Sequence, residues 1–250
     1  MRRTKRICSL VTLIASLMFI ACVAQAVTPV SPPFYDSFDN YALGENKHQP
    51  PWQTLFDGIS AEVSDFTSAH WPRSDGKSLE LKGSAGWARM EYVKLASLPD
   101  VLSYEATVYL GGGDIHVGFM RKEGTQGPMN DFFRFRNTGL ITWEGASGTN
   151  LGEWNPGDIY RVRADIDGPS QTADVYLFNV ITGGWAYKLD VAAYWPREPA
   201  HNLLDQFGIS AGGLGAASSV YVDDVLIIPE PATLLLLGLG GLALLRRRRN

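Results

Sequence analysis

The chain has 250 residues, with 22 Lys and Arg, 26 Asp and Glu and two cysteines. Eight of the basic residues but only one acidic residue, Glu230, lie in residues 1–26 and 229–250, so the middle keeps 14 basic and 25 acidic side chains, a net charge near −11. That balance disfavours nucleic acid and anionic lipid as partners and suits cations or neutral glycans. With Cys8 and Cys22 both near the start, it also excludes a disulfide or thiolate-metal framework for the rest of the chain.

Residues 1–26 read as a signal peptide. Arg2, Arg3, Lys5 and Arg6 form a positive start, Ile7 to Val23 an apolar stretch, and Ala24-Gln25-Ala26 a small-x-small cleavage pattern at Ala24 and Ala26. The alternative, lipidation at Cys22, has a poor lipobox in Phe19-Ile20-Ala21. Pro29, Pro32 and Pro33 then predict an extended lead-in. From there to Ile228 the recurring signal is apolar–polar alternation with period two, broken by Gly, Pro, Asn and Asp.

Strands are predicted over 59–64, 78–82, 87–95, 102–110, 115–119, 132–136 and 139–144, and then over 158–167, 172–179, 185–190, 206–212 and 219–228. The clearest is Asp158 to Asp167, where Tyr160, Val162, Ala164 and Ile166 alternate with Arg161, Arg163, Asp165 and Asp167. Asn137-Thr138-Gly139 between two strand-like runs is a hairpin signal. Glu144 and Glu153 are separated by what reads as a Gly-rich loop, and one short helix is placed near Glu198 to Asp205. Many short antiparallel strands without an internal repeat predict an all-β sandwich, one domain over 27–228. The proline pair at Pro229 and Pro231 is expected to end the fold just before it.

The chain closes on Pro229-Glu230-Pro231, an apolar run from Ala232 to Leu245, and Arg246, Arg247, Arg248 and Arg249. This resembles the PEP-CTERM sorting signal. The resemblance implies export, recognition by an exosortase-type membrane protease, and delivery to the cell surface or extracellular matrix. The apolar run is shorter than the ~20 residues that comfortably span a bilayer. Four terminal arginines hold that end cytoplasmic. Together they imply a transient inner-membrane tether: a short hydrophobic helix following the sandwich, as a signal helix precedes it.

Phe34-Tyr35-Asp36-Ser37-Phe38-Asp39, the Tyr160 to Asp167 run, Thr172 to Leu177 and Val220-Tyr221-Val222-Asp223-Asp224-Val225 are similar to a concanavalin A-like lectin/glucanase jelly roll of the laminin-G-like kind. The resemblance implies a jelly-roll fold and first and last strands lying side by side. Glucanases of that fold place Glu-x-Asp-x-Glu on one strand face, and no such run occurs here. No other catalytic motif is present, and His48, His70, His116 and His201 have no metal-ligand spacing. No catalytic residue is assigned.

Three constellations remain. Asp36 and Asp39 open the fold and Asp223 and Asp224 close it; if the end strands adjoin, these oxygen ligands suit a structural Ca²⁺. The plainer alternative is that they accept hydrogen bonds from loops. Of seven tryptophans, Trp71 and Trp195 sit in loop-like sequence and are the candidate stacking platforms for sugar rings, against the alternative of loop packing. Finally, if Ile115, Val117, Phe119, Phe133 and Phe135 face the core, Asp114, His116, Met120, Arg134 and Arg136 point the opposite way, where His116 and the two arginines could read glycan hydroxyls or a carboxylated sugar, or merely sit on a solvated face with cross-strand ion pairs. The function expected is glycan or exopolysaccharide binding, with a purely structural matrix protein and a glycoside-active enzyme as alternatives.

Overall fold

The structure, a computed structural model, describes residues 29–45, 49–54, 61–66, 68, 71, 76–82, 87–97, 99–120, 129–193, 206–212 and 219–230. The expected signal peptide with its cleavage residues Ala24 and Ala26, the helix near 198–205, Trp195, Pro231 and Arg246 to Arg249 lie outside them.

The described residues form an all-β antiparallel sandwich with no helix among them. In chain order the strands are β1 (Phe34–Asp36), β2 (Gly44–Glu45), β3 (Gln53–Thr54), β4 (Ala61–Ser64), β5 (Ser78–Lys82), β6 (Trp87–Lys94), β7 (Val101–Leu110) and β8 (Asp114–Met120). They continue as β9 (Met129–Phe135), β10 (Leu140–Glu144), β11 (Gly148–Glu153), β12 (Ile159–Asp167), β13 (Thr172–Asn179), β14 (Trp185–Ala192), β15 (Gln206–Gly212) and β16 (Ser219–Glu230). One sheet has nine strands, in the order β14-β13-β12-β7-β16-β5-β4-β2 with β1 added beside β16; the other has seven, β11-β10-β9-β8-β15-β6-β3.

Alternation does the work the sequence promises. Along β12 and β13 every second side chain is buried, and Val162, Ala164, Ile166, Val175 and Leu177 enter the core. From the facing sheet come Ile115, Val117, Phe119, Phe133, Phe135, Ile141, Trp143, Phe207 and Ile209. Each large apolar side chain so buried is worth roughly 1.5–3 kcal/mol. In the middle Tyr104 meets Phe119, Phe133 and Phe207 at ring distances of 5.3–6.1 Å. Its hydroxyl donates to the carbonyls of Asp131 (3.2 Å) and Val117 (3.4 Å), so the buried phenol is satisfied.

Two expectations need correction. The stretch after Glu144 is not a loop: Gly148–Glu153 is the edge strand β11, paired to β10 in a hairpin with a bulge at Ile141/Thr142. Its Gly-rich sequence has no alternation, and its pairing comes from the hairpin partner. Second, β16 runs through the first proline, with Pro229 opposite Leu102 and Glu230 opposite Val101. Beyond Ile227 the β1 flank of β16 is open, so an absent N–H costs at most one ladder bond there. The strands β1, β2 and β3, of two or three residues each, are too short to carry a readable period. The adjacency expected of the first and last strands does hold, with Phe34 opposite Ile227 and Asp36 opposite Val225.

Candidate functional site

The outward face of the seven-stranded sheet gathers the polar side chains. Ser210, His116, Arg134, Thr142 and Asn150 form one cross-strand row, each registered on the next from β15 through β8, β9 and β10 to β11. The row exists because Ile115, Val117, Phe133, Phe135, Ile141 and Trp143 take the inward positions, and residues one step away must point outward. The strand β8 bends at Gly118, where φ is +150° and a Cβ would lie 2.6 Å from Phe132 Cα. The register shift between Gly118 and Met120 sits at this same place, so the glycine shapes the end of the polar row.

Within this face the charges are paired. Arg134 clasps Asp114 with two parallel bonds, Nε to Oδ1 at 2.9 Å and Nη2 to Oδ2 at 2.8 Å. His116 Nε2 lies 3.2 Å from Asp114 Oδ1, and its ring is 4.7 Å from that of Phe132. Burial pushes the Asp114 carboxyl up, but bonds from His116 and Arg134 outweigh it and hold it down at about 2. Burial likewise lowers the His116 imidazole, against the upward pull of Asp114, so the ring is neutral at pH 7 and its Nε2–H donates to the carboxylate. The Arg134 guanidinium is raised by its bond to Asp114.

A second pair lies one strand on. Arg136 donates from Nη2 to Glu144 Oε1 and from Nε to Thr142 Oγ1 at 3.3 Å, while Thr142 Oγ1 donates to the same Glu144 oxygen at 2.6 Å. Burial raises the Glu144 carboxyl, and Thr142 and Arg136 together lower it by more. The four charges of this array cancel, and the pairing fixes the direction of every donor and acceptor. Asp114 and Glu144 are two strands and four residues apart, roughly 16 Å between Cα atoms at ordinary strand spacings. Each carboxylate goes to an arginine. Sequence reasoning named His116, Arg134 and Arg136; it did not find Asp114, Thr142 and Glu144 as their partners, because cross-strand register is not written in any local motif.

The other candidates fare differently. Trp71 is buried, 5% exposed, and sits edge-on to Phe66 at 5.2 Å, so it offers no face to a ligand; among the described residues its indole N–H has no hydrogen-bond partner. Phe66 in turn stacks on Tyr221 at 3.8 Å, which shows why loop-like sequence did not mean exposure.

The carboxylates expected to converge on a cation do not gather. Asp36 turns inward and accepts from Phe38 N (2.8 Å), the Tyr41 hydroxyl and Trp52 Nε1 (2.7 Å). Burial and this carboxylate together hold the Tyr41 phenol well above its usual range. Asp39 accepts from Ser37 Oγ and Lys77 N, Asp224 from the exposed Tyr35 hydroxyl, and the buried Asp223 from Asp224 N. Among the described residues no group of three or more His, Cys, Asp or Glu could hold a metal ion. A register shift between Asp223 and Leu226, with Asp224 at φ +50°, breaks the alternation here, and Asp223 is buried while Asp224 is half-buried.

Comparison with known proteins adds two facts. Residues 228–249 match the PEP-CTERM protein-sorting motif, the signal for exosortase-dependent export, and the match begins inside β16. By shape the sandwich resembles lectins: UEA-II complexed with galactose, with a TM-score of 0.51 at 11% identity over 78% of this chain and 98% of that one. Lectin II from Ulex europaeus gives 0.50 at 10% identity over 78% and 97%. A sialidase gives 0.48 at 12% identity over 78% of this chain, which spans only 19% of that one. At such identities the likeness concerns the fold, a lectin-type jelly roll. No curated protein matches by sequence.

Proposed function

We propose that this is an exported glycan-binding domain, carried across the inner membrane, tethered there by residues 229–250 until an exosortase-type protease acts, and then working at the cell surface or in the extracellular matrix. The observation that carries the reading is the charge-balanced polar face of the seven-stranded sheet. Asp114, Arg134, Arg136 and Glu144 cancel one another, and their mutual bonds hold donors and acceptors in fixed directions. An uncompensated cationic patch would select anions; a neutral, pre-oriented array suits the alternating donors and acceptors of sugar hydroxyls. The acidic surroundings argue the same way, for a neutral glycan over a uronic one. Arg136 is about a third exposed, and among the described residues two of its five N–H groups, one on Nε and one on Nη2, are engaged.

The test is a glycan array probed with the purified protein, with and without a chelator. Saturable binding to neutral glycans, unaffected by chelation, is the expected result. Silence across the array, or binding confined to anionic glycans, contradicts the proposal.

A further inference from the structure

A second surface lies outside the polar face. At one end of the sandwich the edge strands of the two sheets, β11 and β14, part to leave an open cleft of about 300 Å³. Its floor is apolar, with Leu151 and Leu177, and its rim is polar, with Asp158, Asn179 and Thr182. The rim is fixed: Asn179 Oδ1 accepts from the backbone N–H of both Ile181 and Thr182 at 3.0 Å, and Asp158 Oδ2 accepts from Asn155 N at 2.8 Å. Trp185 lines the mouth.

Trp185 is 68% exposed, and its ring leans on Phe178 at 4.6 Å, which holds it in place from one side. Tyr187 (62%) and Leu189 (54%) follow at every second residue of β14, and Ile181 (39%) sits in the preceding turn. Four of the six large apolar side chains exposed among the described residues thus fall between 181 and 189. Scattered exposed apolar residues are ordinary; a run of them on one face of one strand marks a binding surface.

We infer that the β14 strip, on the outward face of the sheet edge beside the cleft, is a second glycan site, separate from the polar face, that takes an extended neutral polysaccharide. Pyranose rings present an apolar face to an indole or phenol, and Trp185 and Tyr187 offer both on one strand face. Trp185 and Tyr187 stand two residues apart, roughly 7 Å along the strand, so the strip runs lengthwise and fits a chain better than a single sugar.

A second copy of the protein is the competing occupant, since β14 is a sheet edge. The edge is broken, however: Asp190 has φ +53° and its N–H turns back to Asp174 Oδ1, with a register shift between Ala173 and Val175. Lys188 and Asp190 are exposed on it, and both features block edge-to-edge pairing. A net charge near −11 over the middle of the chain repels a second copy and an anionic polymer alike.

The experiment is affinity electrophoresis of the purified protein in native gels containing galactomannan or alginate, with Trp185→Ala, Tyr187→Ala and Arg136→Ala compared. Galactomannan is expected to retard the wild type and alginate is not. Trp185→Ala should weaken retardation about tenfold, as loss of an aromatic anchor does, while thermal unfolding stays unchanged because the side chain is exposed. Arg136→Ala weakens the polar face, and adding Trp185→Ala to it should lower retardation further, so the two sites are read separately. Undiminished retardation of Trp185→Ala overturns the inference. So does a Trp185→Ala variant that loses only a concentration-dependent dimer, or only co-sedimentation with phosphatidylglycerol vesicles.

Discussion

Replacing Asp114 by Asn tests whether the polar face is held by charge. The carboxyl is held at about 2 against an unperturbed 3.8, and each unit of depression corresponds to about 1.4 kcal/mol, so the charged form contributes about 2 kcal/mol. Because the folded value is the lower one, that stability is fully present above the unfolded pKa and is lost as pH falls through the folded one. At pH 7 the variant should therefore be about 2 kcal/mol less stable, a Tm lower by roughly 4–8 °C for a domain of this size. At pH 3, where the wild-type carboxyl has begun to protonate in the unfolded chain, about half of that difference should remain. Urea titrations of both proteins at pH 7 and pH 3 read this directly. A pH-independent difference would mean that asparagine fails by shape; no difference at pH 7 would refute the depressed carboxyl and the charge-held face together.

Trp52→Phe removes one of the three donors to the buried Asp36 and should cost roughly 1.5–3 kcal/mol in chemical denaturation; Tyr35→Phe, at an exposed bond to Asp224, should cost far less. Gly118→Ala puts a Cβ 2.6 Å from Phe132 Cα at a backbone angle side chains rarely adopt, and should destabilise by at least ~1–3 kcal/mol, read from thermal unfolding. Burial, reinforced by Glu80, pushes the Tyr221 phenol up to about 12. Its folded pKa exceeds the unfolded value, so it adds stability below pH 10 that is drawn down above it; an ultraviolet titration should show a late-ionising tyrosine that Tyr221→Phe abolishes.

The sequence disclosed most where local chemistry decides. Alternation in Tyr160–Asp167 and Thr172–Asn179 places each side chain correctly, because both strands have one face on the core and the other toward solvent. It also set His116, Arg134 and Arg136 on one face through their apolar neighbours. What it could not give depends on partners far along the chain. Trp71 is covered because Phe66 stacks on Tyr221, and Asp36 turns inward because Trp52 meets it from 16 residues away. Among the described residues the exposed indole is Trp185, in a strand that reads as ordinary alternation, and its position at the sheet edge leaves it bare. Strand β11 was hidden for a related reason: an edge partner needs little propensity of its own when a hairpin delivers it.

Whether the paired polar face binds neutral glycan is read by calorimetric titration of the neutral glycan ranked first on the array into wild type, Arg136→Ala and Glu144→Gln. Both variants are expected to stay folded and to bind at least about tenfold more weakly, since each breaks the fixed direction of the array. Wild-type affinity in both folded variants would contradict a role for this face.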